Sequence, residues 1–202
     1  LGGDQYDSIM NYGFTKACLD YYVSQSVNAQ GFAEKLNHLL MRNSRQVNAM
    51  MLNLLDSHDT DRFFTSVKGN KDRLLSAIAV MCIYVGAPCI YYGTEICLEG
   101  GYDPDNRICF DWEESHWDIS FMDALKNLLS LKQKTILQKG EIYITYDENL
   151  CYIIRTYEGR KIMLILNQSK KAMQISQKGT ILAENNFLDK KLFTDGFVVY
   201  ED

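Results

Sequence analysis

His58 and Asp59 stand side by side at the end of an apolar run, in Asn53-Leu54-Leu55-Asp56-Ser57-His58-Asp59-Thr60-Asp61-Arg62. A strand that ends this way delivers an imidazole and a carboxylate together into a loop. Such a pair accepts and donates hydrogen bonds to vicinal sugar hydroxyls, and its negative charge stabilises an oxocarbenium-like centre. Spacing alone leaves a second reading open, in which Asp59 or Thr60 caps the next helix and His58 is a hydrogen-bonded core residue. Downstream, Asp103 and Arg107 lie in a long loop rich in Gly, Asp and aromatic residues. Arg107 there is either a ligand contact or one half of a surface ion pair. Tyr102, Phe110, Trp112 and Trp117 of the same loop could stack on a sugar or form the loop's own small core.

These residues need elements that aim them. Gln5 to Tyr12 reads as a short buried strand, Gly13 breaks it, and a helix follows from about Thr15 to Val23. Phe32, Leu36, Leu39 and Leu40 recur at helical spacing and define a second helix. The apolar run Ala49 to Leu55 is the strand that ends at the His-Asp pair. Leu74, Ala77, Ile78, Met81, Cys82 and Val85 form one helical face with Gly86 as a stop signal. A third strand is expected at Cys89-Ile90-Tyr91-Tyr92, closed by Gly93. After the loop from Leu98 to about Trp117, Phe121, Leu125, Leu128 and Leu129 open another helix. Strands alternating with helices predict a parallel α/β sheet with its functional groups at the carboxyl ends of the strands.

Near Gly140 the pattern changes to short strand-like runs at 142–144, 151–157, 161–166, 173–175, 180–182 and 197–200, with a turn at Glu158-Gly159-Arg160. Two domains are therefore expected, at 1–138 and 139–202, the second a small antiparallel β domain.

With 202 residues and 47% apolar content the chain can bury a substantial core. The formal charge of −5, from 26 acidic and 21 basic residues, is a mild acidic excess. It disfavours nucleic acid or an anionic membrane as partner, because those surfaces recruit clustered Lys and Arg. A neutral ligand fits better. The six cysteines contain no CxxC pair and several fall in apolar runs, so they read as reduced core residues of a cytoplasmic protein. No apolar run is long enough to span a bilayer. The opening Leu1-Gly2-Gly3 lacks Met and leads at once toward a strand, the look of a chain cut from something larger.

Four segments in order carry a resemblance. Asn53 to Thr60 is similar to the motif at the end of barrel strand seven in the α-amylase family. Gly3 to Tyr12 resembles strand six of cyclomaltodextrinases, neopullulanases and maltogenic amylases, and Gly86 to Glu95 resembles strand eight. Gly100-Gly101-Tyr102-Asp103-Pro104-Asp105-Asn106-Arg107 resembles the sugar-binding loop that follows. The resemblance implies the last three β/α units of a (β/α)8 TIM barrel, strands six to eight, followed by a C-terminal antiparallel β-sandwich. It implies a retaining hydrolase of α-1,4-glucosidic bonds in cyclodextrins, pullulan or maltooligosaccharides. Asp59 then matches the family's third carboxylate, which binds the sugar at the cleavage site and is neither nucleophile nor proton donor. His58 matches a contact to that sugar's hydroxyls, and Asp103 and Arg107 match contacts further toward the non-reducing end. Asn11 and Tyr12 sit at the substrate end of strand six, with a structural role equally open. Thr94 departs from the Asp more usual there, and Glu95 ties down the barrel end.

The nucleophile and the acid/base belong to strands four and five, and no residue here matches either. Asp4 and Asp7 match no catalytic role, and Glu34 lies in a helix. The chain alone is expected to be inactive, and to self-associate or pair with the missing N-terminal part. An α-glucan oligosaccharide or cyclodextrin is the expected partner, with no metal and no cofactor. A non-catalytic carbohydrate-binding subunit and a transglycosylase remain open alternatives.

Overall fold

The structure is a computed structural model and describes residues 8–176 and 178–202. The expected strand Gln5 to Tyr12 lies largely outside the described residues. Its last part is seen as Met10, which forms a parallel bridge to Leu52.

Helix α1, Tyr12–Cys18, starts where the Asn11 side chain accepts from the Phe14 N–H, and it runs on as a π-helical turn, Leu19–Val23. Helix α2, Ala29–Met41, is capped by Asn28 and buries Phe32 and Leu36. The apolar run from Ala49 does not form one strand. Ser44 accepts from the Val47 N–H and starts a short helix α3, Arg45–Met50, leaving strand β1 only Leu52–Leu54. After the short α4, Phe63–Ser66, comes α5, Lys71–Ile83, then strand β2, Ala87–Cys89.

β1 and β2 pair in parallel, Leu52 with Ala87 and Leu54 with Cys89. The third strand thus ends where Cys89–Tyr92 was expected to begin it. Two contacts explain the earlier start: the Ala87 N–H donates to the Met51 carbonyl at 2.8 Å, and the Asn53 amide donates to Val85 at 2.8 Å. Gly86 makes this approach possible. Its φ is +102°, and a Cβ there would lie 2.6 Å from the Met51 carbonyl oxygen.

α5 is buried along the whole stretch from Leu74 to Ile83, which marks it as the central helix rather than an amphipathic surface one. Both of its ends are tied to residues later in the chain. At the N-terminus Asp195 accepts from Asn70 and from Arg73, each at 2.9 Å. At the C-terminus Lys132 donates to the Tyr84 carbonyl at 2.6 Å and Arg155 to the Ile83 carbonyl at 2.9 Å. Cations at this end satisfy carbonyls that have no partner within the helix and complement its dipole. Burial, with the Arg155 charge beside it, pushes the Lys132 ammonium down to about 7.

Helices α6, Ile119–Leu131, and α7, Thr135–Lys139, lead into strands β3 (Glu141–Tyr146), β4 (Leu150–Tyr157), β5 (Arg160–Asn167), β6 (Met173–Gln174), β7 (Thr180–Leu188) and β8 (Lys191–Glu201). All six belong to one hydrogen-bonded antiparallel sheet. β8 is the reason: β7 pairs along one flank, while β5 and β6 pair with its two ends on the other. One face, with Ile153, Leu164, Phe197 and Val199, joins the helical core. The opposite face builds a smaller cluster around Leu150, Ile165, Ile175, Leu192 and Val198.

Cys18, Cys82 and Cys151 are buried thiols, but Cys109 is exposed and is not the core residue its apolar neighbourhood predicts. No helix among the described residues is long and apolar enough to cross a membrane.

Candidate functional site

Beyond Leu54 the chain leaves the β1 ladder in a tight loop. The Ser57 N–H donates to the Thr60 hydroxyl at 2.9 Å and the Asp59 N–H to the Ser57 hydroxyl at 3.2 Å. Asp56, buried just before it, accepts from the Phe63 N–H at 2.8 Å and so starts α4. Burial raises its carboxyl above the usual range, against the Phe63 N–H and the Arg62 charge, which lower it. Thr94 donates to the other Asp56 oxygen at 3.4 Å. The residue that departs from the family pattern therefore ties the end of β2 to the end of β1.

His58 and Asp59 face outward. His58 Nε2 lies 3.2 Å from an Asp59 carboxylate oxygen, and both side chains are more than half exposed, at 58% and 59%. Arg107 comes over this pair from the long loop. Its Nε–H faces the His58 carbonyl and the Asp103 carboxylate, each at 3.0 Å, and another guanidinium nitrogen is 3.6 Å from Asp59. Two segments distant in sequence thus form one open polar cluster, with a cation between two carboxylates and an imidazole beside them. Asn11 and Tyr12 are not in it. Both Asn11 side-chain atoms are committed, to the α1 cap and to Asn53 at 2.9 Å, and Tyr12 is half-exposed beside Met10.

Asn106 is the residue that sequence reasoning passed over. It is fully buried, and its amide nitrogen lies 2.8 Å from the His58 and Thr60 carbonyls and 3.3 Å from that of Ser57. Turning the amide over would set oxygen against three carbonyl oxygens, so its orientation is fixed by its surroundings. The long loop thereby holds the His58–Asp59 loop from beneath while Arg107 reaches over it. Asn106→Leu is expected to free both segments: amide hydrogen exchange at 57–62 should rise at least tenfold, about 1.4 kcal/mol of lost local protection, with α5 unchanged. Unchanged exchange at 57–62 would remove Asn106 from this role. The spacing Asp103, Asn106, Arg107 was its only signal, and that cannot tell a buried brace from an exposed contact.

Arg62 makes a second buried arrangement at the ends of the strands. Its guanidinium donates to the Tyr92 carbonyl at 2.7 Å and lies 4.6 and 4.9 Å from the centroids of the Tyr91 and Tyr92 rings. The aromatic residues of the long loop pack mainly on one another. Phe110 sits 4.7 Å from Trp112 and 5.9 Å from Trp117, centroid to centroid, while Tyr102 and Trp112 remain largely exposed. Among the described residues no three His, Cys, Asp or Glu side chains are grouped so as to hold a metal ion.

Residues 1–161 match the family model described as alpha amylase, catalytic domain. The chain belongs to the α-amylase family. It is similar to a cyclomaltodextrinase of Thermoanaerobacter pseudethanolicus, at 35% identity over 99% of this chain and 35% of that protein. It is 34% identical to an intracellular maltogenic amylase of Bacillus subtilis over 92% of this chain and 32% of the relative. Among solved structures, the maltogenic amylase from S. marinus superposes with a TM-score of 0.84 at 29% identity, covering 98% of this chain and 29% of the other. The chain thus spans about a third of the length of these relatives. The family match runs past residue 138 into β5, so it does not stop where the helical part gives way to the sheet.

Proposed function

We propose that this chain supplies the last three β/α units, and with them the sugar-binding half of the active site, of a retaining hydrolase of α-1,4-glucosidic bonds in cyclodextrins, pullulan or maltooligosaccharides. The observation that carries the reading is the Arg107 guanidinium, held between Asp103, Asp59 and the His58 carbonyl at the end of β1. A cation fixed there leaves carboxylate and imidazole edges facing outward, the complement of a sugar's vicinal hydroxyls. In the proposed mechanism Asp59 holds the sugar at the cleavage site and favours its distorted ring. His58 bonds the hydroxyls of that sugar, and Asp103 and Arg107 bind units toward the non-reducing end. Retention by double displacement needs two further carboxyls, a nucleophile and an acid/base about 5–5.5 Å apart. We assign those to strands four and five, outside this sequence. The relatives' names, cyclomaltodextrinase and intracellular maltogenic amylase, support this substrate class and a cytoplasmic setting.

The purified chain by itself should release no reducing sugar from β-cyclodextrin or pullulan. It should also self-associate on size-exclusion chromatography with light scattering, because Ile9, Met10 and Leu52 leave apolar surface exposed along the strands. Robust sugar release from a preparation shown by mass spectrometry to hold one polypeptide would overturn the assignment of the catalytic carboxyls. A monodisperse monomer would count against the exposed-edge argument.

A further inference from the structure

A cleft of about 640 Å³ lies between the segment 25–31 that leads into α2 and the β-sheet turns at 148–149 and 168–170. It shares no residue with the His58 cluster. Several uncommon features meet there. The π-helical turn Leu19–Val23 carries Tyr21 into its wall, and such turns are rare and recur at functional sites. Gln25, also in the wall, is held at φ +50°, the left-handed region that a residue with a side chain adopts at a cost. The Tyr21 hydroxyl, on a side chain 1% exposed, has no hydrogen-bond partner, and neither end of the Gln168 amide has one. The Gln168 backbone N–H faces that hydroxyl without completing a hydrogen bond.

Buried polar atoms left unpaired are costly, and a cleft of this size beside them is large enough for a small molecule to pair with them. The charges around the cleft select a neutral one. Arg73 is neutralised by Asp195 at 2.9 Å, and Glu148 and Lys170 on the rim are of opposite sign. The free groups are a hydroxyl and a carboxamide, each both donor and acceptor, which matches the alternating donors and acceptors of a vicinal diol. We infer that this cleft is a second binding site, for a neutral polyhydroxylated molecule, with Tyr21 and Gln168 as the groups that bind it.

The test is hydrogen–deuterium exchange read by mass spectrometry on the whole chain, with maltotriose and sorbitol as separate probes at up to about 100 mM. Protection is expected at 19–31 and 166–171 with at least one probe, and which probe gives it separates a sugar ring from an open-chain polyol. In Tyr21→Phe combined with Gln168→Leu, the concentration for half-protection should rise about tenfold or more. Unchanged exchange in α5 and β8 shows that the double variant is folded, and if it is not, each single variant is read alone. Absence of protection with both probes overturns the site. Protection that persists undiminished in the folded variants overturns the role of the two residues.

Discussion

Asp59→Asn, made in a longer polypeptide that carries this sequence within a complete barrel, is expected to lower maltooligosaccharide or cyclodextrin turnover by about two to three orders of magnitude. The amide keeps the shape of the carboxylate and most of its hydrogen bonds, so ground-state sugar binding should change little. On the role proposed for Asp59, what it removes is a negative charge beside a centre that becomes positive only as the glycosidic bond breaks, and that loss should fall on kcat more than on KM. Stability should hardly move, because the Asp59 side chain is 59% exposed and its contacts to His58 and Arg107 are surface ion pairs. The checks are steady-state kinetics and a thermal melt. Turnover within a few-fold of the parent would remove Asp59 from the reaction.

Arg155→Leu should destabilise the fold by at least about 3 kcal/mol, and unlike the Asp59 change it should do so without touching the proposed sugar site. Arg155 is fully buried in β4 and donates to the carbonyls of Ile83 and Gly140 at 2.9 Å and of Glu141 at 3.3 Å. Leucine fills part of the volume but leaves three carbonyls without this donor, that of Ile83 in the buried interior. For a chain of this size the loss corresponds to a fall in Tm of roughly 6–12 °C. Denaturant unfolding of the variant measures it directly. A loss below about 1 kcal/mol would mean that the three carbonyls find other partners.

Much of this was legible in the sequence. The helices α2, α5 and α6 announced themselves through apolar spacing, and the six β segments as short strand-like runs. The misplacements have local causes. α3 is a helix of Arg45–Met50 with no buried residue, so no apolar face betrayed it, and only its Ser44 cap gives it away. β2 begins two residues before the β-branched and aromatic run expected to form it, because Gly86 and the Asn53 amide fix the register. β7 and β8 extend through Glu184, Asn185 and Gly196, residues of low strand propensity that β8's central position draws into the ladder, while Asn186 and Asp195, at positive φ, fall where the pairing is irregular. The spacing around His58 pointed to a polar loop beyond a strand, and Asp103 and Arg107 lie against that loop. Arg155 and Asn106 stayed invisible because a buried polar residue is defined by the distant carbonyls it meets.

The position of β8 also bears on the order in which the chain becomes structured during synthesis. Residues 191–201 are made last in this sequence, yet β5, β6 and β7 all take their register from them. Asp195, which holds the N-terminal end of α5, emerges with the same strand. On the ribosome the helical part therefore has its central helix anchored at one end only until nearly the whole sequence has left the exit tunnel. Long-range strand pairing closes loops slowly, so this interval is when the nascent chain exposes its apolar helix faces. A stall or truncation before residue 191 would leave β3–β5 with an open edge and α5 half tethered, a species suited to chaperone capture rather than to folding.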